Sequence, residues 1–281
     1  MATPSSVLAI LAHPDDEIFV AGMLAHLAES GAQVTLVCAT RGEIGKVHPS
    51  LGHVEDVAAL RSEELRLSCA RLGIGEPRFL GFHASGRGDK LQRNDPRALA
   101  VADMLEVEAA IREVIRDLQP HVIITHDPHG GYYHPDHLAL QRATTAAFFS
   151  SGVLGPAAPA RLFYAAMEHA KFTRFVDASG ARSLAIGLDP DVYAPTTEMI
   201  ALTFDARPYV ARKFAAMAAH RSAFGLTEET LRVPTPETAP MLRAFGPVFE
   251  REDYLLGGTR GPIPRWPLPD VFADIGAAVS L

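Results

Sequence analysis

Only two cysteines occur among 281 residues, Cys38 and Cys69, and both lie inside apolar segments. That placement favours a pair of buried free thiols over a disulfide. The matching expectation is a reducing compartment and a cytoplasmic protein. The chain also lacks any cluster of Lys or Arg: 26 basic residues stand against 33 acidic ones, a net charge of −7. Nucleic acid is therefore not expected as a partner. No uncharged apolar stretch reaches the roughly 18 residues of a spanning helix, and the first, 7–11, is soon cut off by His13. Residues 1–6 lack the positive n-region of a signal peptide, so neither export nor a membrane is expected. Internal repeats and low-complexity linkers are missing too. So is a glycine-rich turn after the first apolar run, where a dinucleotide-binding protein would cradle a pyrophosphate. His13-Pro14-Asp15-Asp16-Glu17 occupies that turn, and its carboxylates would repel one.

What is present is an ordinary globular composition, 48% apolar and 21% charged, enough for a sizeable core. Apolar runs predict strands at 7–11, 34–39, 78–80 and 122–125. Helical spacing covers 18–29, 55–72, 104–118 and 138–149. This alternation predicts an α/β protein: a Rossmann-like, doubly wound, mostly parallel sheet with helices on both faces and an elaborated C-terminal third. After Gly152 the pattern loosens, to strands at 162–166 and 199–204 and a helix over 208–224. Residues 232–281, rich in proline, are expected to wrap the outside. We expect one domain over 1–281, with 1–150 carrying the site and 151–281 shaping the pocket. Apolar residues in the tail leave open both a homo-oligomer interface and a cover for the core. Two polar loops, 41–54 and 83–96, exceed the roughly 2–6 residues of ordinary connections. They should lie at the carboxyl ends of the strands, where such folds bind ligands.

Two segments carry chemistry. Ala12-His13-Pro14-Asp15-Asp16-Glu17 follows the first strand, and His134-Pro135-Asp136-His137 follows the fourth after a short loop. Each sets metal-seeking side chains three residues apart, a spacing that aims both at one point from a helix start. Either segment alone could be a cap or an acidic first turn that complements a helix dipole. Their conjunction at two strand ends points to a site. His13, Asp16 and His137 are the expected ligands. Three protein ligands plus water is the catalytic Zn2+ arrangement, and two histidines with a carboxylate also suit Fe2+. Zinc would bring the pKa of water down to about 7. Asp15, which cannot share its neighbours' direction, is the expected general base and proton carrier to a leaving amine. His134 is expected to steady an oxyanion as an imidazolium, oriented by Asp136. His126, His129 and His83 are expected on the polar rim, and His220 has no motif around it.

Together with Thr40-Arg41-Gly42-Glu43, Leu60-Arg61-Ser62-Glu63-Glu64-Leu65, Leu80-Gly81-Phe82 and Gly130-Gly131-Tyr132-Tyr133, these segments resemble the LmbE-like (PIG-L) N-acetylglucosaminyl deacetylase family. The resemblance implies a zinc-dependent deacetylase on a Rossmann-like fold, acting on a small amino-sugar conjugate. It implies the same ligands and the same roles for Asp15 and His134. It further implies Tyr132 near the developing oxyanion and Arg41 against the substrate. Many relatives have glycine where this chain has Tyr133, a departure beside the site. Two other readings use the same residues: amide cleavage of a larger sugar or thiol conjugate, and a non-catalytic binder of sugar or metal. The binder would usually have lost Asp15, a ligand or His134, and all are present here.

Overall fold

The first strand, β1 (Ser6–Leu11), is buried along its whole length. A continuous apolar run does this when both faces of a parallel sheet are covered. Its alternate residues divide accordingly. Val7, Ala9 and Leu11 join one apolar cluster with Met23, Leu24 and Leu65, while Leu8 and Ile10 join a second with Ile111, Ile115 and Ala143. The computed structural model describes residues 5–179, 190–263 and 265–275.

After β1 the chain runs through α1 (Ala21–Glu29), β2 (Gln33–Cys38), α2 (Val57–Leu72), β3 (Arg78–Phe79), α3 (Met104–Leu118), β4 (Val122–His126), α4 (Gly130–Tyr133) and α5 (Pro135–Ser150). Then follow β5 (Arg161–Ala166), α6 (His169–Ser179), α7 (Pro190–Tyr193), β6 (Leu202–Asp205), α8 (Val210–Ala219), α9 (Arg221–Phe224), α10 (Glu228–Arg232), α11 (Ala239–Phe249) and β7 (Arg251–Thr259). The caps explain the boundaries. Asp56 accepts from Ala59 N to start α2, and Gly73 at φ 75° ends it. Asp103 accepts from Leu105 N to start α3.

The sheet order is β3-β2-β1-β4-β5-β7-β6. Strands β1 to β5 pair in parallel, and β7 runs antiparallel to both β5 and β6. The mostly parallel α/β architecture expected from the sequence is therefore the one observed. The chain steps outward from β1 to β3, then returns to the other side of β1 as β4. That reversal opens a crevice at the carboxyl ends of β1 and β4, and the two motifs leave from those ends. Cys38 and Cys69 are buried free thiols. Among the described residues no helix is long and apolar enough to cross a membrane.

Two expectations need correction. The helix expected over 208–224 is broken at His220, where φ −82° and ψ 63° leave the helical region. Residues 251–259 are not part of an outer wrap either: β7 inserts into the sheet between β5 and β6, with Tyr254 wholly buried. Glu252 and Asp253 disguise this strand as polar, yet both are buried and partnered. Glu252 accepts the N–H groups of Gly22 (2.8 Å) and Met23 (2.9 Å) in the first turn of α1, and it pairs with Lys213. Asp253 accepts from Thr203 Oγ1 (3.1 Å) and lies 3.6 Å from Lys171 Nζ. A carboxylate there satisfies donors that a helix leaves open at its start.

Candidate metal centre

The first motif begins one residue beyond β1. Asp15 has φ 112°, a conformation that strains any residue but glycine. Three contacts hold that turn. Asp15 N donates to Glu17 Oε2 (3.0 Å), Asp15 Oδ2 accepts from Arg61 Nη2 (2.7 Å), and Asp16 Oδ2 accepts from His13 N (2.8 Å). At the second motif, Asp127 Oδ1 gathers His129 N (2.7 Å) and Gly131 N (3.1 Å). Gly130 (φ 58°) then passes so close to α5 that an added Cβ would lie 2.8 Å from His137 Cβ.

Across the crevice, His13 Nδ1 lies 3.1 Å from His137 Nε2 and 3.5 Å from Asp16 Oδ2, and His137 Nε2 lies 3.3 Å from Asp16 Oδ1. Ligands about 2.0–2.1 Å from a tetrahedral zinc lie roughly 3.3 Å apart; Asp16 comes near that spacing through Oδ2 toward His13 and through Oδ1 toward His137. The outward nitrogens are occupied: His13 Nε2 by Asp136 Oδ2 (2.9 Å) and His137 Nδ1 by the Gly130 carbonyl (3.1 Å). Such outer partners fix the ring tautomers and leave the inner lone pairs to a metal. Burial alone would lower the pKa of His13, but Asp136 and Asp16 reverse this and raise it to about 10. Burial likewise opposes ionisation of Asp16, yet His137 and His13 hold it well below the usual carboxylate range. The cluster favours a positive charge at its centre, proton or metal, and these residues fit a divalent ion.

Metal-capable groups also form two overlapping triplets within 4.8 Å: His13, His134 and His137, and Asp16, His126 and His137. We prefer the triangle above because the remaining two histidines are otherwise engaged. His126 Nε2 accepts Ala12 N (3.0 Å), which uses the lone pair a metal would need. It is a buried ring stacked on His137 at 4.0 Å, not the rim residue expected. His134 Nδ1 accepts Asp136 N (3.2 Å) at the start of α5. Burial, His13 and His137 push its pKa down, which weighs against the expected imidazolium. Asp136 does not orient His134 as expected, its carboxylate lying 4.0 Å from His134 Nδ1. It holds His13 and is itself held by Ser85 N (2.9 Å). Asp136→Asn should weaken metal affinity about 10–100-fold in a chelator competition; unchanged affinity would remove Asp136 from the site.

Burial raises the pKa of Asp15 against the pull of Arg61. Sequence reasoning did not assign Arg61 a role. It is buried, and besides Asp15 it binds the carbonyls of Pro14 (2.7 Å) and Gly42 (3.0 Å). Nor did it assign His220, which with Ser68 closes on Glu17 Oε1, each at 2.5 Å. No local signal could have revealed that contact, since His220 arrives from the far end of α8. Tyr132 rests its ring 5.9 Å from His134 and 5.4 Å from His137, with Arg87 over its face at 4.8 Å. Burial pushes its hydroxyl pKa up, so it remains a proton donor. Arg41 is not drawn into the cluster. It is exposed, on Ser62 Oγ (2.7 Å) and the Phe79 ring (4.2 Å). The two long loops do meet at the site, Glu43 Oε1 accepting Ala84 N (2.8 Å).

The model of the GlcNAc-PI de-N-acetylase (PIG-L) family matches residues 8–148, which include both motifs and the strands that join them. The chain belongs to the PIG-L family. This PIG-L protein is 32% identical to a 1D-myo-inositol 2-acetamido-2-deoxy-alpha-D-glucopyranoside deacetylase of Acidothermus cellulolyticus, over 97% of the chain and 99% of the relative. A deacetylase of the same name from Thermomonospora curvata is 33% identical over 92% of the chain and 93% of its own length. Among solved structures it is similar to an N,N'-diacetylchitobiose deacetylase from Pyrococcus horikoshii (TM-score 0.57, 22% identity, 90% and 83% of the two chains). It is also similar to a zinc-inhibited form of teicoplanin deacetylase (0.56, 19%, 90% and 97%). A 4-carboxy-2-hydroxymuconate hydratase from Pseudomonas putida matches equally well (0.59, 19%, 93% and 99%). The shape of this PIG-L protein is thus shared by different chemistries, and function has to be argued from the site.

Proposed function

We propose that this PIG-L protein is a zinc-dependent N-deacetylase of a small N-acetylglucosaminyl conjugate. The observation that carries the reading is the triangle of His13, Asp16 and His137 with Asp15 beside it, held in a strained turn. The names of the relatives support the amino-sugar substrate. The donor set of two histidines and a carboxylate supports a divalent metal, Zn2+ or Fe2+.

His13, Asp16 and His137 would hold the ion, which supplies Lewis-acid polarisation and lowers the pKa of water. The chain's own residues do the rest. Asp15, with Oδ2 committed to Arg61, takes the proton of the attacking water on Oδ1 and passes it to the departing amine nitrogen. Its raised pKa suits both halves of that transfer. His134 Nε2–H and the Tyr132 hydroxyl donate to the acetyl oxygen as negative charge gathers there. Asp136 keeps His13 in place, and Arg41 meets the substrate at the outer edge. We read 1–281 as one domain, because β6 and β7 complete the sheet of the first half and His220 reaches Glu17. The buried free thiols support a cytoplasmic setting.

The test is primary-amine release from a panel of N-acetylglucosaminyl glycosides. Protein is stripped by chelator, then reloaded with one equivalent of Zn2+ or Fe2+. Release that returns with metal supports the reading. No release from any glycoside, with one ion bound per chain, would sink it.

A further inference from the structure

Tyr133 breaks the local pattern beside the metal centre. Its φ is +62°, following Gly130 at +58° and Gly131 at +65°, a region that glycine enters freely and tyrosine only at a cost. The strained residue is also exposed: 47% of its surface remains open. Tyr132 packs over His134 and His137, whereas the Tyr133 ring lies 6.0 Å from His129 and 5.0 Å from Tyr193. Tyr193 and His129 close the group at 5.9 Å. Tyr193 belongs to α7, so a ring from the C-terminal third meets a ring adjacent to His134. Packing alone does not account for this. A residue recruited to fasten α7 would be buried, and it would need no left-handed backbone.

We propose that Tyr133, Tyr193 and His129 form a stacking wall for the ring attached to the N-acetylglucosaminyl unit. The wall selects conjugates whose aglycone is a ring with an uncharged C–H face. This rests on the deacetylase reading above. The electron-rich face of a tyrosine attracts C–H edges and gains nothing from an anion. Neither Lys nor Arg belongs to the wall. Tyr132, already covered by Arg87, is left to the reacting acetyl group.

The test compares methyl and cyclohexyl glycosides of N-acetylglucosamine on the metal-loaded full chain. The wild type should favour the cyclohexyl compound through a lower KM. Tyr133→Gly should shrink that preference about fivefold, and Tyr193→Ala should act in the same direction from a separate element. Glycine suits φ +62°, so the Tyr133→Gly melting temperature should not fall. A preference that stays within twofold of wild type in both variants overturns the wall. Calorimetric binding of the two glycosides provides a readout without turnover. If the wild type hydrolyses neither, the deacetylase reading fails on its own. The wall then stands only if the cyclohexyl compound binds tighter and Tyr133→Gly removes the difference; equal binding overturns it.

Discussion

Asp15→Asn is expected to slow amine release about 10³-fold, the middle of the range for losing a general acid–base group, while one metal ion stays bound per chain. The substitution is nearly isosteric. An amide oxygen can still accept from Arg61 Nη2, now 2.7 Å from the carboxylate, and the ligand triangle does not include this side chain. What disappears is the ability to take a proton and give it back. The pH profile checks the assignment independently. Burial raises the pKa of Asp15 while Arg61 lowers it. The acid limb of kcat/KM in the wild type should therefore fall above the usual carboxylate range. Removing Arg61 takes away the lowering influence, so Arg61→Met should move that limb to still higher pH. Asp15→Asn should show no such limb. A variant keeping more than about a tenth of the wild-type rate at pH 7, against the expected 10²–10⁴-fold loss, would mean that another group carries the proton.

Glu252→Ala is expected to destabilise the fold by about 3–5 kcal/mol, the usual consequence of removing one partner of a buried ion pair. Four donors depend on this carboxylate: Gly22 N, Met23 N, the Tyr254 hydroxyl and the Lys213 ammonium, which is wholly buried. Burial already lowers the pKa of Lys213, and only Glu252 opposes it. In the variant that pKa falls further and the lysine sheds its proton, which limits the loss. The unfolded chain then binds more protons than the folded one at any pH between the two pKa values, so the variant should gain stability as pH rises through that window. Denaturant midpoints at several pH values, with unchanged m-values, measure both effects. A loss below about 1 kcal/mol would show the pair to be worth no more than a surface bridge.

The proposed ligands stood out because each lies in a local pair. His13 with Asp16, and His134 with His137, stand three residues apart, and each pair directly follows a buried strand or its loop. Strands β1, β2 and β4 announced themselves as apolar runs for the same reason, burial on both faces. What escaped reading depends on partners remote in the chain. Arg61 looks like any helix arginine until Asp15 turns toward it, and His220 looks unremarkable until Glu17 is beneath it. The exchange of Asp136 from His134 to His13 came from the return of α5 against β1, which no spacing within the motif encodes. Strand β7 was missed because its two acids are neutralised by lysines of α6 and α8. Tyr133 could be noted as unusual, but only the φ angle and the Tyr193 ring give it a place.

The insertion of β7 between β5 and β6 has a consequence for synthesis on the ribosome. One edge of β5 pairs with β4, and among the described residues its other edge is covered by 251–259 alone. Until those residues emerge, the nascent chain carries an apolar strand with an open row of backbone donors and acceptors, a template for pairing between molecules. A chain ended before Arg251 should hold every proposed metal ligand and still aggregate. Its failure would lie in solubility rather than chemistry.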